Sequence, residues 1–230
     1  MKHAVSLNAD KSGLMPEHCG NDSQVVRMSD KTHCNAVYSR KAEVELSWHQ
    51  SDPSVSLDLM EKVGLAADTS VIDVGGGTSR VVDALVSRGL SDLTVLDVSQ
   101  AALDATRARL GPDGRTVSWI AGDITLWRPA RTYDVWHDRA VFHFLTDPKD
   151  QAAYIGALSS SLSTGGHAVI ATFAPDGPET CSGLPVARYS PELLAETLGA
   201  GFSLIDQRFQ SHTTPWGHPQ SFQYSLFQRG

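Results

Sequence analysis

Residues 70–97 follow a pattern that leaves few folds open. Ser70-Val71-Ile72-Asp73-Val74 is a short apolar run of the kind buried on both faces of a parallel sheet. Three consecutive glycines, Gly75, Gly76 and Gly77, cut it off, and Val81, Val82, Leu85 and Val86 then recur at helical spacing up to Gly89. Leu93-Thr94-Val95-Leu96 is a second such strand and ends on Asp97. Strand, helix and strand in this order make a βαβ unit, whose crossover is right-handed and whose ligands gather beyond the carboxyl ends of the strands.

The alternation continues on both sides of this unit. Upstream, Val55, Leu57, Leu59, Met60 and Val63 suit a short helix capped by Asp52, with Pro53 in its first turn and an end near Gly64. Downstream the pattern predicts a helix over 99–110 and strands over 117–121 and 133–136. A helix over 148–162 and a strand over 167–173 follow, then a helix over 191–198 and β-like runs over 202–209 and 221–227. Strands alternating with helices imply a doubly wound α/β domain with a mostly parallel sheet. Residues 1–30, rich in Ser, Asn, Asp and Gly, can bury too little to offset the entropy of ordering, so a flexible tail is expected there and the folded domain over 31–230.

Charge and composition remove several classes of partner. A formal net charge of −7 without a basic run argues against a nucleic-acid surface, since such binding rests on clustered Lys and Arg. No apolar stretch approaches the roughly twenty residues that cross a bilayer, so no membrane partner is expected. Cys19, Cys34 and Cys181 are an odd number at wide spacing, which fits neither a disulfide framework nor a paired zinc site and points to a reducing cytoplasm.

The glycines allow positive φ and close approach of a ligand to the backbone, and Asp97 stands where it can accept the hydroxyls of a ribose. A dinucleotide site asks for G-x-G-x-x-G, but Arg80 holds the last position; a phosphate loop fails because no Gly-Lys-Ser/Thr follows. Val-Ile-Asp-Val-Gly-Gly-Gly, then Leu-Asp-Val-Ser-Gln, then Ala-Gly-Asp-Ile resembles motifs I, II and III of the class I S-adenosylmethionine-dependent methyltransferases. The resemblance implies a Rossmann-like, seven-stranded sheet with an antiparallel C-terminal strand and S-adenosyl-L-methionine as cofactor. It also implies that Asp73, Gly75, Gly76 and Gly77 hold the amino acid part. Asp97 would bind the ribose, Val98 would pack on the adenine, and Asp123 with Ile124 would bind the adenine edge. The family's third spaced glycine is Ser79 here.

Asp138-Arg139-Ala140 is similar, more loosely, to a segment after the fourth strand in thiopurine methyltransferase-like enzymes. Asp138 and Arg139 would shape the methyl-transfer pocket, or simply pair at a helix start. His143, with an ordinary pKa near neutrality, is either a general base or a ring packed between Phe142 and Phe144. Tyr38 and Trp48 resemble an aromatic entry segment that covers the methionine portion; the alternative is ordinary core packing.

The loop over 176–185 reads as a lid, with Cys181 either facing a soft acceptor or inert. His212 and Trp216 could wall the acceptor, and no metal site is expected from the loop histidines. The expected function is methyl transfer to a small-molecule acceptor, with a thiol or other chalcogen nucleophile preferred. The alternatives are a protein lysine acceptor and a non-catalytic cofactor-binding scaffold.

Overall fold

The computed structural model describes residues 52–230 together with Met1 and Gln50. The expected tail over 1–30 and the aromatic pair Tyr38 and Trp48 lie outside the described residues. Helix α1 (Ser54–Glu61) leads into β1 (Val71–Val74), α2 (Val81–Ser87), β2 (Leu93–Asp97), α3 (Gln100–Leu110) and β3 (Ser118–Ala121). Then come β4 (Tyr133–Arg139), α4 (Pro148–Ser161), β5 (Leu162–Phe173), a small hairpin of β6 (Thr180–Cys181) and β7 (Leu184–Pro185), α5 (Pro191–Leu198), β8 (Phe202–Thr213) and β9 (Pro219–Arg229).

Seven strands form one sheet in the order β3-β2-β1-β4-β5-β9-β8. The first five are parallel, and β9 pairs antiparallel with both β5 and β8. The doubly wound α/β architecture with an antiparallel C-terminal strand is therefore the observed one. Because β1 is followed outward by β2 and β3 on one side and by β4 and β5 on the other, the winding reverses between β1 and β4. That reversal opens a crevice beyond their carboxyl ends.

Alternate side chains of the central strands feed two apolar layers. Val71, Val135 and Val169 pack with Leu57 and Met60 of α1 and Val81 and Leu85 of α2. Ile72, Trp136 and Ile170 pack on the other face with Tyr154 and Leu158 of α4 and Leu194 and Leu198 of α5. Each such side chain taken out of water contributes about 1.5–3 kcal/mol.

Helix starts follow the local chemistry: Ser99, Asp147 and Ser190 accept from Ala102 N, Lys149 N and Leu193 N, with Pro148 and Pro191 in first turns. The first helix departs from expectation. Pro53 precedes it instead of opening its first turn, and Asp52 Oδ1 accepts from Ser54 N at 3.0 Å. Strand β4 also outruns its expected end at Trp136, because β1 and β5 flank it and continue the ladder through Asp138 and Arg139. No helix among the described residues is long and apolar enough to cross a membrane.

Candidate active site

Beyond β1 the chain turns through Gly75, at φ +69°, where a Cβ would overlap Cγ2 of Val141. Gly77 is held from the other side: its N–H donates to Asp97 Oδ2 at 2.9 Å, and a Cβ there would lie 2.6 Å from that oxygen. Asp97 Oδ1 accepts from Ser99 N at 2.7 Å, so this carboxylate ties the glycine turn to the start of α3. Burial pushes its pKa up to about 6, the backbone donors of Ser99 and Gly77 pull it down, and the Asp73 carboxylate raises it.

A cavity of about 430 Å³ opens over the ends of β1, β2 and β3. Its walls are mainly apolar, with Leu96, Val98 and Ile124 on the sheet side, Val141 and Phe144 after β4, and Leu184 and Pro185 from the β6–β7 hairpin as a roof. Asp123 lies at its edge, its Oδ1 accepting from Thr125 N at 2.9 Å and Thr125 Oγ1 at 2.8 Å. The other charged lining residues, Asp147 and Asp150, are also acidic. A second, smaller cavity of about 40 Å³ is lined by Gln50, Asp73, Gly75, Thr78, Arg80, His137 and Arg139, among others. Val141 lines the larger cavity and Gly75 the smaller, so their contact stands between the two.

Val98, Asp123 and Ile124 thus share one cavity, and Asp73, Gly75 and Arg139 share the other. Asp97, Gly76 and Gly77 line neither cavity: Gly76 lies against the Asp73 carboxylate and Gly77 against that of Asp97, whose two oxygens both accept backbone N–H groups. Asp138 is fully buried: Oδ1 accepts from Val141 N at 2.8 Å, and Oδ2 accepts from Phe142 N at 3.0 Å and Tyr154 Oη at 2.7 Å. It therefore organises the chain leaving β4 and does not face either cavity. The residue that follows Arg139, Ala140, sits at φ +75°, a conformation that costs a side chain about 1–2 kcal/mol and is held by its N–H bond to Ala171 O. Arg139 Nε donates to Tyr224 Oη at 3.1 Å, and its guanidinium lies 4.5 Å over the Phe222 ring.

His143 has no exposed surface and packs against Phe144 and Phe173. Its Nδ1 accepts from Phe173 N at 3.3 Å, which places the proton of the neutral ring on Nε2. Burial, and then the Arg139 charge, push its pKa down to about 3. The lone pair that a general base would offer is already used. Cys181, in β6 of the hairpin and paired with Leu184 of β7, is buried in the core layer that includes Phe173 and lines neither cavity. His212, near the end of β8, faces Phe222 at 6.3 Å between ring centroids, and Trp216 is exposed in the β8–β9 turn; neither lines the two cavities. Among the described residues no group of three His, Cys, Asp or Glu could hold a metal ion.

Sequence reasoning expected a lid over 176–185, and Leu184 and Pro185 from that segment do line the large cavity, but it passed over the β6–β7 hairpin that carries them, turned at Ser182-Gly183 with φ +52° and +79°. It also passed over His137, whose signal is the sheet order: only the pairing of β1 with β4 sets His137 beside Asp73.

Residues 71–166 match the family described as a methyltransferase domain. A curated relative, the malonyl-[acyl-carrier protein] O-methyltransferase 1 of Ilyobacter polytropus, is 27% identical over 146 residues, 63% of this chain and 53% of the relative. The chain thus spans about half the length of that relative in the match. Among solved structures, a SAM-dependent methyltransferase from Anabaena variabilis superposes with a TM-score of 0.69 at 14% identity, covering 89% of this chain and 96% of that one. The Burkholderia thailandensis 1,6-didemethyltoxoflavin-N1-methyltransferase, solved with 1,6-didemethyltoxoflavin and S-adenosylhomocysteine, superposes with a TM-score of 0.62 at 19% identity, covering 87% of this chain and 84% of that one. At these identities the likeness to solved structures is one of fold.

Proposed function

We propose, from the premise that residues 71–166 are a methyltransferase domain of the class I, S-adenosylmethionine-dependent kind, that the chain methylates a small-molecule acceptor. The observation that carries this reading is the roofed cavity at the carboxyl edge of the sheet. Its 430 Å³ falls within the 300–1,000 Å³ range of small-molecule pockets, and its mainly apolar walls, with the Asp123 carboxylate beside Val98 and Ile124, suit a flat nucleoside base. The smaller cavity offers complementary charges for an amino acid zwitterion: Asp73 for its ammonium, Arg80 and Arg139 for its carboxylate. The residues present fit the cofactor.

When bound, S-adenosylmethionine supplies a methyl group already activated by its sulfonium. Val98, Ile124 and Asp123 would hold the adenine, and the glycine turn with Asp73 the amino acid part; Asp97 would set the turn that carries the ribose side. The chain's task is then to align an acceptor and exclude water, and alignment alone contributes on the order of 7–11 kcal/mol in favourable cases. Leu184, Pro185 and Phe144 serve that exclusion. As a neutral acceptor attacks, the sulfonium's positive charge spreads over both partners and passes to the methylated acceptor, which then releases its proton to solvent. A largely apolar enclosure favours a transition state whose charge is more dispersed than that of the reactants.

His143 fits a structural role behind the large cavity's wall, holding the end of β5 through Phe173 N and the segment that follows the lid through its carbonyl, which accepts from Ala187 N at 2.7 Å. The charged lining of the large cavity is wholly acidic, so an acceptor entering as an anion is disfavoured. A neutral thiol or other chalcogen compound lies within the range that remains. Incubation with methyl-labelled cofactor and extracts of small molecules and proteins tests the reading: label is expected in soluble or volatile small products. Label confined to precipitated protein would replace it with a protein-methylating one.

A further inference from the structure

Three polar side chains from different elements meet under the glycine turn. His137 of β4 approaches Asp73 Oδ1 through Nδ1 at 2.6 Å and Ser56 Oγ of α1 through Nε2 at 2.9 Å. All three are buried, with 1% exposure for Ser56 and His137 and 3% for Asp73. A carboxylate can only accept, so Nδ1 carries a proton; in the neutral ring Nε2 then accepts from the Ser56 hydroxyl. The order Ser, His, Asp is that of a hydrolytic triad, but Ser56 lines neither cavity, and a nucleophile without access to a substrate has no reaction to perform.

The other carboxylate oxygen, Asp73 Oδ2, is buried without a hydrogen-bond partner. It lies against Gly76, where a Cβ would overlap it, and Asp73 lines the smaller cavity. Leaving a carboxylate oxygen dry and unpaired is costly unless a cation or donor reaches it. His137 fixes which oxygen is spent and which is left over.

We infer that His137 is a positioning residue, strapped to α1 by Ser56, which fixes Asp73 so that Oδ2 is held for the ammonium group of the cofactor's amino acid end. This rests on the proposed cofactor. The strap joins the first described helix to the centre of the sheet, so the segment that precedes β1 and the carboxylate on it are positioned together. Asp73 cannot turn without breaking the bond to His137, and His137 cannot follow it without leaving Ser56.

Calorimetric titration of the full chain with two ligands separates this role from general support. S-adenosylhomocysteine carries the ammonium; 5′-methylthioadenosine has the same nucleoside and sulfur but lacks the amino acid. His137→Phe, which keeps a ring and removes both bonds, is expected to weaken S-adenosylhomocysteine about tenfold or more, the scale of a lost charge-assisted bond, and to leave 5′-methylthioadenosine within about twofold. Ser56→Ala, which keeps the His137 to Asp73 bond, is expected to weaken S-adenosylhomocysteine by about threefold with the same selectivity. It carries the test alone should His137→Phe not fold.

Unchanged affinity for S-adenosylhomocysteine, or parallel losses for both ligands, would overturn the inference. Wild-type protein that binds neither ligand fails at the earlier step and overturns the cofactor assignment instead.

Discussion

Gly75→Ala is expected to remove about 3 kcal/mol of folding stability and to lower the melting midpoint by roughly 6–12 °C. Two penalties add. The residue sits at φ +69°, where a Cβ costs about 1–2 kcal/mol, and that Cβ would overlap Cγ2 of Val141, a β-branched side chain with little rotamer freedom. Gly89 supplies the control, since it has φ +84° but nothing within 4 Å of its would-be Cβ. Gly89→Ala should therefore lose only the backbone share, about 1 kcal/mol. Adding Val141→Ala to Gly75→Ala should recover part of the loss by clearing the overlap. Equal denaturation midpoints for Gly75→Ala and Gly89→Ala would show that Val141 does not press on the turn, and with it that the two cavities are not separated there.

Tyr154→Phe should also cost about 3 kcal/mol, and the cost should depend on pH. The Tyr154 hydroxyl donates to Asp138 Oδ2 at 2.7 Å and accepts from Trp136 Nε1 at 2.9 Å, with all three side chains buried. Removing it leaves the indole N–H without an acceptor and the carboxylate with one donor fewer. Burial already pushes the Asp138 pKa up from 3.8 to about 6, while the Tyr154 hydroxyl and the Val141 and Phe142 amides hold it down.

A carboxyl group whose folded pKa lies above its unfolded value binds protons more tightly in the folded state, so stability falls as pH rises from 3.8 to the folded pKa and stays lowered above it. Without the hydroxyl the folded pKa rises further, and the loss at high pH deepens. Urea unfolding should thus report a larger difference between wild type and Tyr154→Phe at pH 8 than at pH 5. The same difference at both values would mean that Asp138 does not depend on Tyr154.

These two sites also show what the sequence made legible. The glycine turn, the strand before it and Asp97 could be read in order because a buried parallel strand and a helix have distinct periods, and three glycines punctuate the change between them. Val98, Asp123 and Ile124 came with the motifs that follow successive strands, and they do share a cavity. The roles around β4 could not be read in the same way. Trp136-His137-Asp138-Arg139 is too polar to look like the middle of a sheet, and its burial depends on β1 and β5 flanking it.

Asp138 looks like a pocket residue in one dimension; in three, its oxygens are consumed by the turn that follows and by Tyr154 from α4. His143 looks like a base by its ordinary pKa, but the ring accepts a backbone N–H and is buried. Burial is a property of neighbours, and these neighbours are distant along the chain. The Ser56–His137–Asp73 contact is the clearest case, since it joins α1, β4 and β1 through a register that only the assembled sheet defines.

The most direct test of the account is a calorimetric titration of folded protein with S-adenosylhomocysteine, beside an Ile124→Trp variant that fills the large cavity. Saturable one-to-one binding by the wild type, weakened about tenfold or more by the variant, is the predicted result. Absence of uptake by well-folded wild type, or equal affinity in the filled variant, would contradict the placement of the nucleoside between Val98 and Ile124.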